Sequence, residues 1–318
     1  MTGVKWIGHH MRHREVYIKF NIISKEPLRI GSGREVKLTS PVDLPVLKVI
    51  VDGVEKPYIP GSSIKGIFRS FMDVFIRSYN GYTCPGSGNN VCYSLGGIKS
   101  TVENLVKQAN YLELVNVLWR NLCLSCKVYG SGSYRSKVIF YDFMPIGEAK
   151  LGVKPGIAID RKTGATARGA FYQVEFVQPG AVFSGGLRAY DVPNYVLGII
   201  GLTLMEINEG RIKIGGFKTR GFGRVEIRDL EIEVIFHTNI SGKVEDGKLV
   251  LNPMDHIDVQ VDYSLPAKPG TNNMVRLSGD DAWNLINTIT SRTIMIDDIV
   301  KKIVDEHKPE WLGEPGFV

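Results

Sequence analysis

"PYIPGSSIKGIFRSFMDVFIRSYN" (Pro57–Asn80) passes from a stiff, extended turn into a helix within a few residues. Apolar residues recur at Ile64, Ile67, Phe68, Phe71, Met72, Phe75 and Tyr79, the spacing of one buried helix face. Lys65, Arg69 and Arg77 occupy the opposite face. The first turn of a helix carries N–H groups without intrahelical partners and a partial positive charge. A Gly-Ser-Ser start with basic residues just beyond it therefore reads as an anion cradle. Gly61 would allow close approach, Ser62 or Ser63 would cap the helix or donate a hydroxyl, and Lys65 and Arg69 would add charge. An ordinary N-cap after a proline turn is the competing reading of the same letters.

The charge of the chain is divided. Of the overall +6, residues 226–318 hold 9 Lys+Arg against 17 Asp+Glu, a balance of −8, which leaves +14 on residues 1–225. So basic a body points to a polyanion partner, and a solvated basic face is the alternative. Hydrophobic content of 43% and charged content of 23% are those of a globular chain. No apolar run approaches the roughly 18 residues of a membrane helix, and the N-terminus lacks the apolar core of a signal peptide, so the cytoplasm is the expected location.

A second site is "IKIGGFKTRGFGRVEI" (Ile212–Ile227). Gly215, Gly216, Gly221 and Gly223 flank Lys218 and Arg220 between two apolar runs. Glycine at this density clears side chains where another backbone must come close, and the paired cations suit a phosphodiester chain. The spacing does not match a dinucleotide fingerprint, and no helix follows. "YGSGSYRSK" (Tyr129–Lys137) lacks the spacing of a nucleotide-triphosphate loop, which argues against a nucleotide-triphosphate enzyme.

Between these sites the chain reads as alternating elements. Val16–Ile30 alternates like a half-buried strand, Lys137–Gly147 is a second, and Ala181–Val192 a third. Gly156–Gly180 reads as a long hairpin with a polar, basic tip. Thr101–Leu122 reads as one helix opened by Ser100 and Glu103 in capping-box spacing. A strongly apolar helix follows Asp191, its expected N-cap, with Pro193 in the first turn. A terminal helix is expected near Asp280–His307. Without its insertions the order is strand, helix, strand, strand, helix, strand, an α+β, ferredoxin-like or RRM-like core (βαββαβ). Residues 1–235 form the expected main domain, with insertions at 81–135 and 152–182, and residues 236–318 a C-terminal extension.

Four motifs in this order resemble the CRISPR-associated RAMP superfamily: "PYIPGSSIKG", "CLSCKVYGS" (Cys123–Ser131) before a strand ending "FYDF", "IAIDRKTGAT" (Ile157–Thr166), and "GGFKTRGFGRVEI". The resemblance spans residues 15–235 and is nearest to the backbone subunit of type III effector complexes. It implies that the chain binds guide RNA, lies in a filament of its own copies beside other effector subunits, and cuts paired target RNA. It implies guide contacts at Gly61, Ser62, Ser63, Lys65, Arg69, Lys218, Thr219 and Arg220. The hairpin around Asp160, Arg161 and Arg168 would be a thumb that wedges into the guide–target duplex.

The family's catalytic aspartate lies in a loop before the Pro-Gly-Ser-Ser turn. "SPVDLPVLK" places Asp43 there, with Mg²⁺ or Mn²⁺ as the implied ion. A carboxylate there would bind that ion or orient a ribose 2′-hydroxyl; a loop-capping aspartate is the plainer alternative. A guide-binding subunit without catalysis is the alternative function. Where many relatives have His before the Ile-Gly of "LRIG", this chain has Arg29, a permanent cation and hence a phosphate contact. A guide-processing ribonuclease would need a histidine near its site, but His237, His256 and His307 all lie in or near the tail.

The four cysteines are Cys84, Cys92, Cys123 and Cys126. Cys123-x-x-Cys126 is a common half-site for structural zinc, with Cys84 and Cys92 completing it. Free thiols or a disulfide remain alternatives.

Overall fold

In the computed structural model the described residues are 6–31, 42–88, 90–94, 98–132, 134–166, 171–266, 270–271 and 273–313. Arg168 and the "GSGRE" stretch beyond Gly31 lie outside them.

Strand β1 (Arg14–Ser24) is the centre of the main sheet. Its alternation is clean: Val16, Ile18, Phe20 and Ile22 are buried on one face, while Tyr17 and Lys19 point the other way. Strands β2 (Lys48–Val51) and β3 (Val54–Pro57) form a short hairpin, and α1 (Gly61–Ser78) follows directly. Helix α1 buries Ile64, Phe68, Met72 and Ile76, the i, i+4 stripe of its sequence.

The insertion carries α2 (Ile98–Lys107), α3 (Tyr111–Asn121) and α4 (Leu124–Tyr129). The single helix expected over Thr101–Leu122 is thus two. Ala109 adopts a left-handed φ of 53°, and the Asn110 side chain accepts from the Glu113 N–H, capping a new start.

After α4 come β4 (Val138–Phe140), β5 (Met144–Ile146), the ribbon strands β6 (Leu151–Gly156) and β7 (Tyr172–Val177), and β8 (Val182–Tyr190). Lys137–Gly147, expected as one strand, is β4 and β5 with a break at Tyr141–Phe143, and both halves pair with β8. Helix α5 (Asn194–Asn208) and the long β9 (Val225–Phe236) complete the core. Strand β1 pairs antiparallel with both β8 and β9, which gives the order β9-β1-β8-β4. That is the ferredoxin-like arrangement of a split βαβ unit, in a mixed α+β chain.

The last third adds a small sheet of β10 (Gly242–Glu245), β11 (Lys248–Leu251) and β12 (Val261–Ser264). It also adds β13 (Gly270–Thr271) and β14 (Met274–Ser278), the latter paired with β9 at the edge of the main sheet. Helix α6 (Gly279–Thr293) packs against α5 and β9, and α7 (Asp297–Glu306) follows, so the expected terminal helix is also two. Among the described residues no helix is long and apolar enough to cross a membrane.

Of the three helix starts singled out in the sequence, Ser100 lies inside α2 and does not open it, and the other two are capped from far away. Asp191 does not cap α5: its Oδ1 accepts from the His13 and Arg14 amides at 2.7 and 2.8 Å and fastens the start of β1. The α5 amides of Asn194 and Tyr195 donate instead to Asp258, at 2.9 and 3.3 Å. At α1 neither serine caps. The N-cap is Pro60, and the Gly61 amide donates to Asp142 Oδ1 at 2.7 Å. The break between β4 and β5 is what brings Asp142 to this position.

Candidate functional site

Three segments meet around Arg29. Residues 27–31 leave β1 and run beside the end of β7, where Leu28 and Val177 exchange backbone hydrogen bonds of 3.0 and 2.8 Å. Residues 42–48 run alongside: the Leu44 amide donates to Gln173 O, the Glu175 amide to Leu44 O and the Leu47 amide to Ile30 O, at 2.8–3.1 Å. Glu175 locks this segment further, accepting from the Val46 amide at 2.9 Å and from Lys48 Nζ at 3.0 Å.

The third segment is the glycine-rich loop. The Gly216 amide donates to Arg29 O at 2.9 Å, and the Gly223 amide to Pro27 O at 3.0 Å. Gly215 has φ +83°, and a Cβ on it would lie 2.3 Å from the Arg29 carbonyl oxygen, so glycine is required there twice over. The outcome is an open cleft lined by Arg29, Ile30, Gly31, Ser63, Gly215 and Gly216. The start of α1 and the glycine loop, about 150 residues apart in the chain, share one surface.

The cleft is cationic and aromatic. The Arg29 and Arg220 guanidiniums lie 5.4 and 5.2 Å from the centre of the Phe217 ring, and Arg220 Nη1 donates to the Tyr172 hydroxyl at 2.9 Å. Arg29 Nε reaches Leu44 O at 3.4 Å. Neither arginine has a carboxylate partner among the described residues. Burial holds the Arg29 guanidinium below its ordinary value, because it is partly withdrawn from water. Phe217 is held at φ +57°, an uncommon conformation for a bulky side chain. Lys218, Thr219 and Arg220 form one exposed turn beside it.

Asp43 lies on the same face. It is exposed, and its Oδ2 accepts from the Gln173 amide at 2.6 Å, next to Tyr172. This contact fastens the loop, as the plainer reading of Asp43 expected, and it also sets the direction of the carboxylate.

Other expected positions fall elsewhere. Gly61 is buried, and a Cβ there would lie 2.5 Å from the Phe140 carbonyl oxygen, so its small size admits that backbone and not a phosphate. Ser62 is exposed at the first turn, and Ser63 lines the cleft. Lys65, half-buried one turn on, has its pKa lowered by burial and by the charge of Arg69. Arg69 itself points away from the cleft, donating to Gly130 O at 2.9 Å and to Cys126 Sγ at 3.2 Å. Asp160 and Arg161 sit at the exposed tip of the β6–β7 ribbon. There Asp160 Oδ1 accepts from the Lys162 and Thr163 amides at 2.7 and 3.1 Å, an Asx-type turn that uses the carboxylate locally. Ile157, Ile159 and Phe171 are exposed along the ribbon.

The open face of the main sheet, which RNA-recognition modules use, differs from the cleft. It carries Tyr17 edge-on to Tyr141, but its cations are matched: Arg188 pairs with Glu15, Lys19 with Glu231 and Arg276 with Glu233.

The four cysteine sulfurs are buried and lie within 4.8 Å of one another. None forms a disulfide, and Cys84 Sγ is 3.3 Å from Cys126 Sγ. Tetrahedral zinc with bonds of about 2.3 Å needs sulfurs roughly 3.8 Å apart, so the quartet fits that ion after small adjustments. Hydrogen bonds from Cys123, Cys126 and Cys92 hold the Cys84 thiol below its ordinary value. Among the described residues this quartet is the one group of three or more His, Cys, Asp or Glu able to surround a metal. Among the described residues Asp43 belongs to no such group.

Sequence reasoning missed Phe217, Tyr172 and Asp142. The first had a signal, an aromatic residue between glycines and cations in "GGFKTR". The other two act through partners 48 and 81 residues away.

Comparison with known proteins agrees with this architecture. The family model of the RAMP superfamily matches residues 21–226. The CRISPR system Cms endoribonuclease Csm3 of Methanocaldococcus jannaschii is 24% identical over 221 residues, covering 64% of this chain and 75% of that protein. The matched region runs from β1 to the start of β9 and contains the cleft, the ribbon and the cysteine quartet; this chain belongs to the RAMP superfamily.

Proposed function

We propose that this chain is a guide-RNA-binding backbone subunit of a type III CRISPR effector complex, and that it cuts the paired target RNA with Asp43. The observation that supports it is the pair of guanidiniums, Arg29 and Arg220, flanking Phe217 beside the glycine-lined backbone of Gly215 and Gly216. Cations without a carboxylate partner among the described residues, next to backbone that admits another chain, suit a phosphodiester strand with a base on the aromatic ring. Residues 1–235 act as the RNA-binding unit, residues 236–318 as its extension. Copies stack as a filament along the guide in the cytoplasm, with other effector subunits at their ends. The β6–β7 ribbon, with Ile157, Ile159 and Phe171 exposed, is the thumb that interrupts the duplex.

In this reading Asp43 orients a ribose 2′-hydroxyl of the target and draws on its proton. The 2′-oxygen attacks its own phosphorus in line; the 2′-O–P bond forms, the P–O5′ bond breaks, and a cyclic phosphate and a 5′-hydroxyl result. A divalent ion such as Mg²⁺ or Mn²⁺, held by Asp43 together with RNA phosphates and water, would lower the charge on the phosphate. Cys84, Cys92, Cys123 and Cys126 hold a structural zinc. A non-catalytic role is favoured by one observation, the use of Asp43 Oδ2 by the Gln173 amide.

The assembled complex with Asp43→Ala decides between the two. The cleavage reading expects the guide to be retained and target cutting to stop. Cutting at every interval by the variant, or none by the wild type, contradicts it.

A further inference from the structure

Arg69 is on the helix that opens the cleft, yet its guanidinium is turned inward. Nη2 donates to Cys126 Sγ at 3.2 Å and Nη1 to Gly130 O at 2.9 Å, just past the end of α4. Gly86, in the loop between Cys84 and Cys92, packs against the same group: a Cβ there would approach Arg69 Nε to 3.1 Å. The guanidinium thus touches the segments that carry Cys84 and Cys126, and ties both to α1.

A neutral thiol is a weak acceptor, so a guanidinium gains little by donating to one. A thiolate is different. Four thiolates around Zn²⁺ carry a net charge of −2, and the quartet is buried, where such a charge is costly unless a counter-charge is near. Arg69 supplies a permanent cation with two parallel N–H groups. One reaches the sulfur and the other a backbone carbonyl, so the side chain has little freedom to leave.

We propose that Arg69 is the counter-charge of the four-cysteine zinc site, a positioning residue for the metal and not a contact to RNA. The inference rests on the zinc reading above. It gives α1 two ends with separate tasks: its first turn borders the RNA cleft, and its third turn is pinned to the metal.

The test compares wild type, R69Q and R69K as full-length chains, with zinc affinity measured by competition with a chromophoric chelator. R69Q is expected to bind zinc about 10–100-fold more weakly, the usual effect of removing a partner of a metal ligand. R69K, which keeps the charge but loses the two-pronged reach, should fall between the two. The salt dependence of RNA retention should be the same in all three. Unchanged zinc affinity in R69Q overturns the proposal. So does a fall of about one in the salt slope, the mark of a lost phosphate contact. If R69Q cannot be purified, R69K alone carries the test, and wild-type affinity in it is contradictory. A wild-type chain that takes up no zinc removes the metal reading itself, and is told apart because it fails before any variant is compared.

Discussion

The cleft around Arg29 and the cysteine quartet both border α1, and they are built on opposite principles. The cleft is open and made largely of backbone: the Gly216 amide locks to the Arg29 carbonyl and the Gly223 amide to the Pro27 carbonyl, and the side chains above them lack carboxylate partners among the described residues. The quartet is closed and made of side chains, with every sulfur buried. Ser63 and Arg69, fewer than two turns apart on α1, are divided between them. A basic stripe on a helix is thus not one surface: the helix start borders the open cleft, and Arg69 turns inward to Gly130 O and Cys126 Sγ.

Four outcomes sharpen or break this comparison. The largest effect belongs to the closed site. Structural zinc contributes on the order of 10 kcal/mol to small metal-dependent folds. Chelation, or the double change Cys123→Ser with Cys126→Ser, should therefore lower the thermal midpoint more than any change in the cleft does. A melting curve unmoved by chelator would remove the contrast.

Next comes Asp43 in the assembled complex. Asp43→Asn keeps an acceptor for the Gln173 amide but loses the charge, so the fold and guide retention should stay while cleavage drops about 100- to 10,000-fold, the range for a lost proton-transfer group. Single-turnover rates read it, and wild-type rates in Asp43→Asn would leave the residue as a loop fastener only.

Third is Gly215→Ala. The added methyl meets the Arg29 carbonyl oxygen at 2.3 Å, and φ is +83°. A loss of about 1–3 kcal/mol is expected in urea denaturation, together with weaker RNA retention. The smallest effect is that of Arg220→Ala, which leaves the fold intact and costs one phosphate contact: the salt slope of RNA retention should fall by about one.

The pattern of what was legible in the sequence has a physical cause. Period-two alternation in β1 and β9 and the i, i+4 stripe of α1 come from local geometry, so the ferredoxin-like order could be read before any coordinates. The glycine loop was readable too, because Gly215 answers a backbone constraint that no other residue meets. Caps were not. Asp142 and Asp258 reach their helices from 81 and 64 residues away, and no local spacing announces them. Helix breaks at Ala109 and after Thr293 were hidden for a related reason, since apolar periodicity continues across them. Helical position groups Arg69 with the residues of the cleft side, but it does not say which neighbour the side chain meets. That neighbour, Cys126, is 57 residues further along the chain.

The central claim is that the first turn of α1 and the glycine-rich loop together hold one RNA strand. Photo-crosslinking of the RNA that co-purifies with the native assembly, followed by peptide mapping, tests it most directly. Crosslinks on Phe217 or Tyr172, with further crosslinks on the peptide carrying Ser62–Lys65, are the expected result. Crosslinks confined to Tyr17 and Tyr141 on the open sheet face, or an assembly that carries no RNA, would contradict the claim.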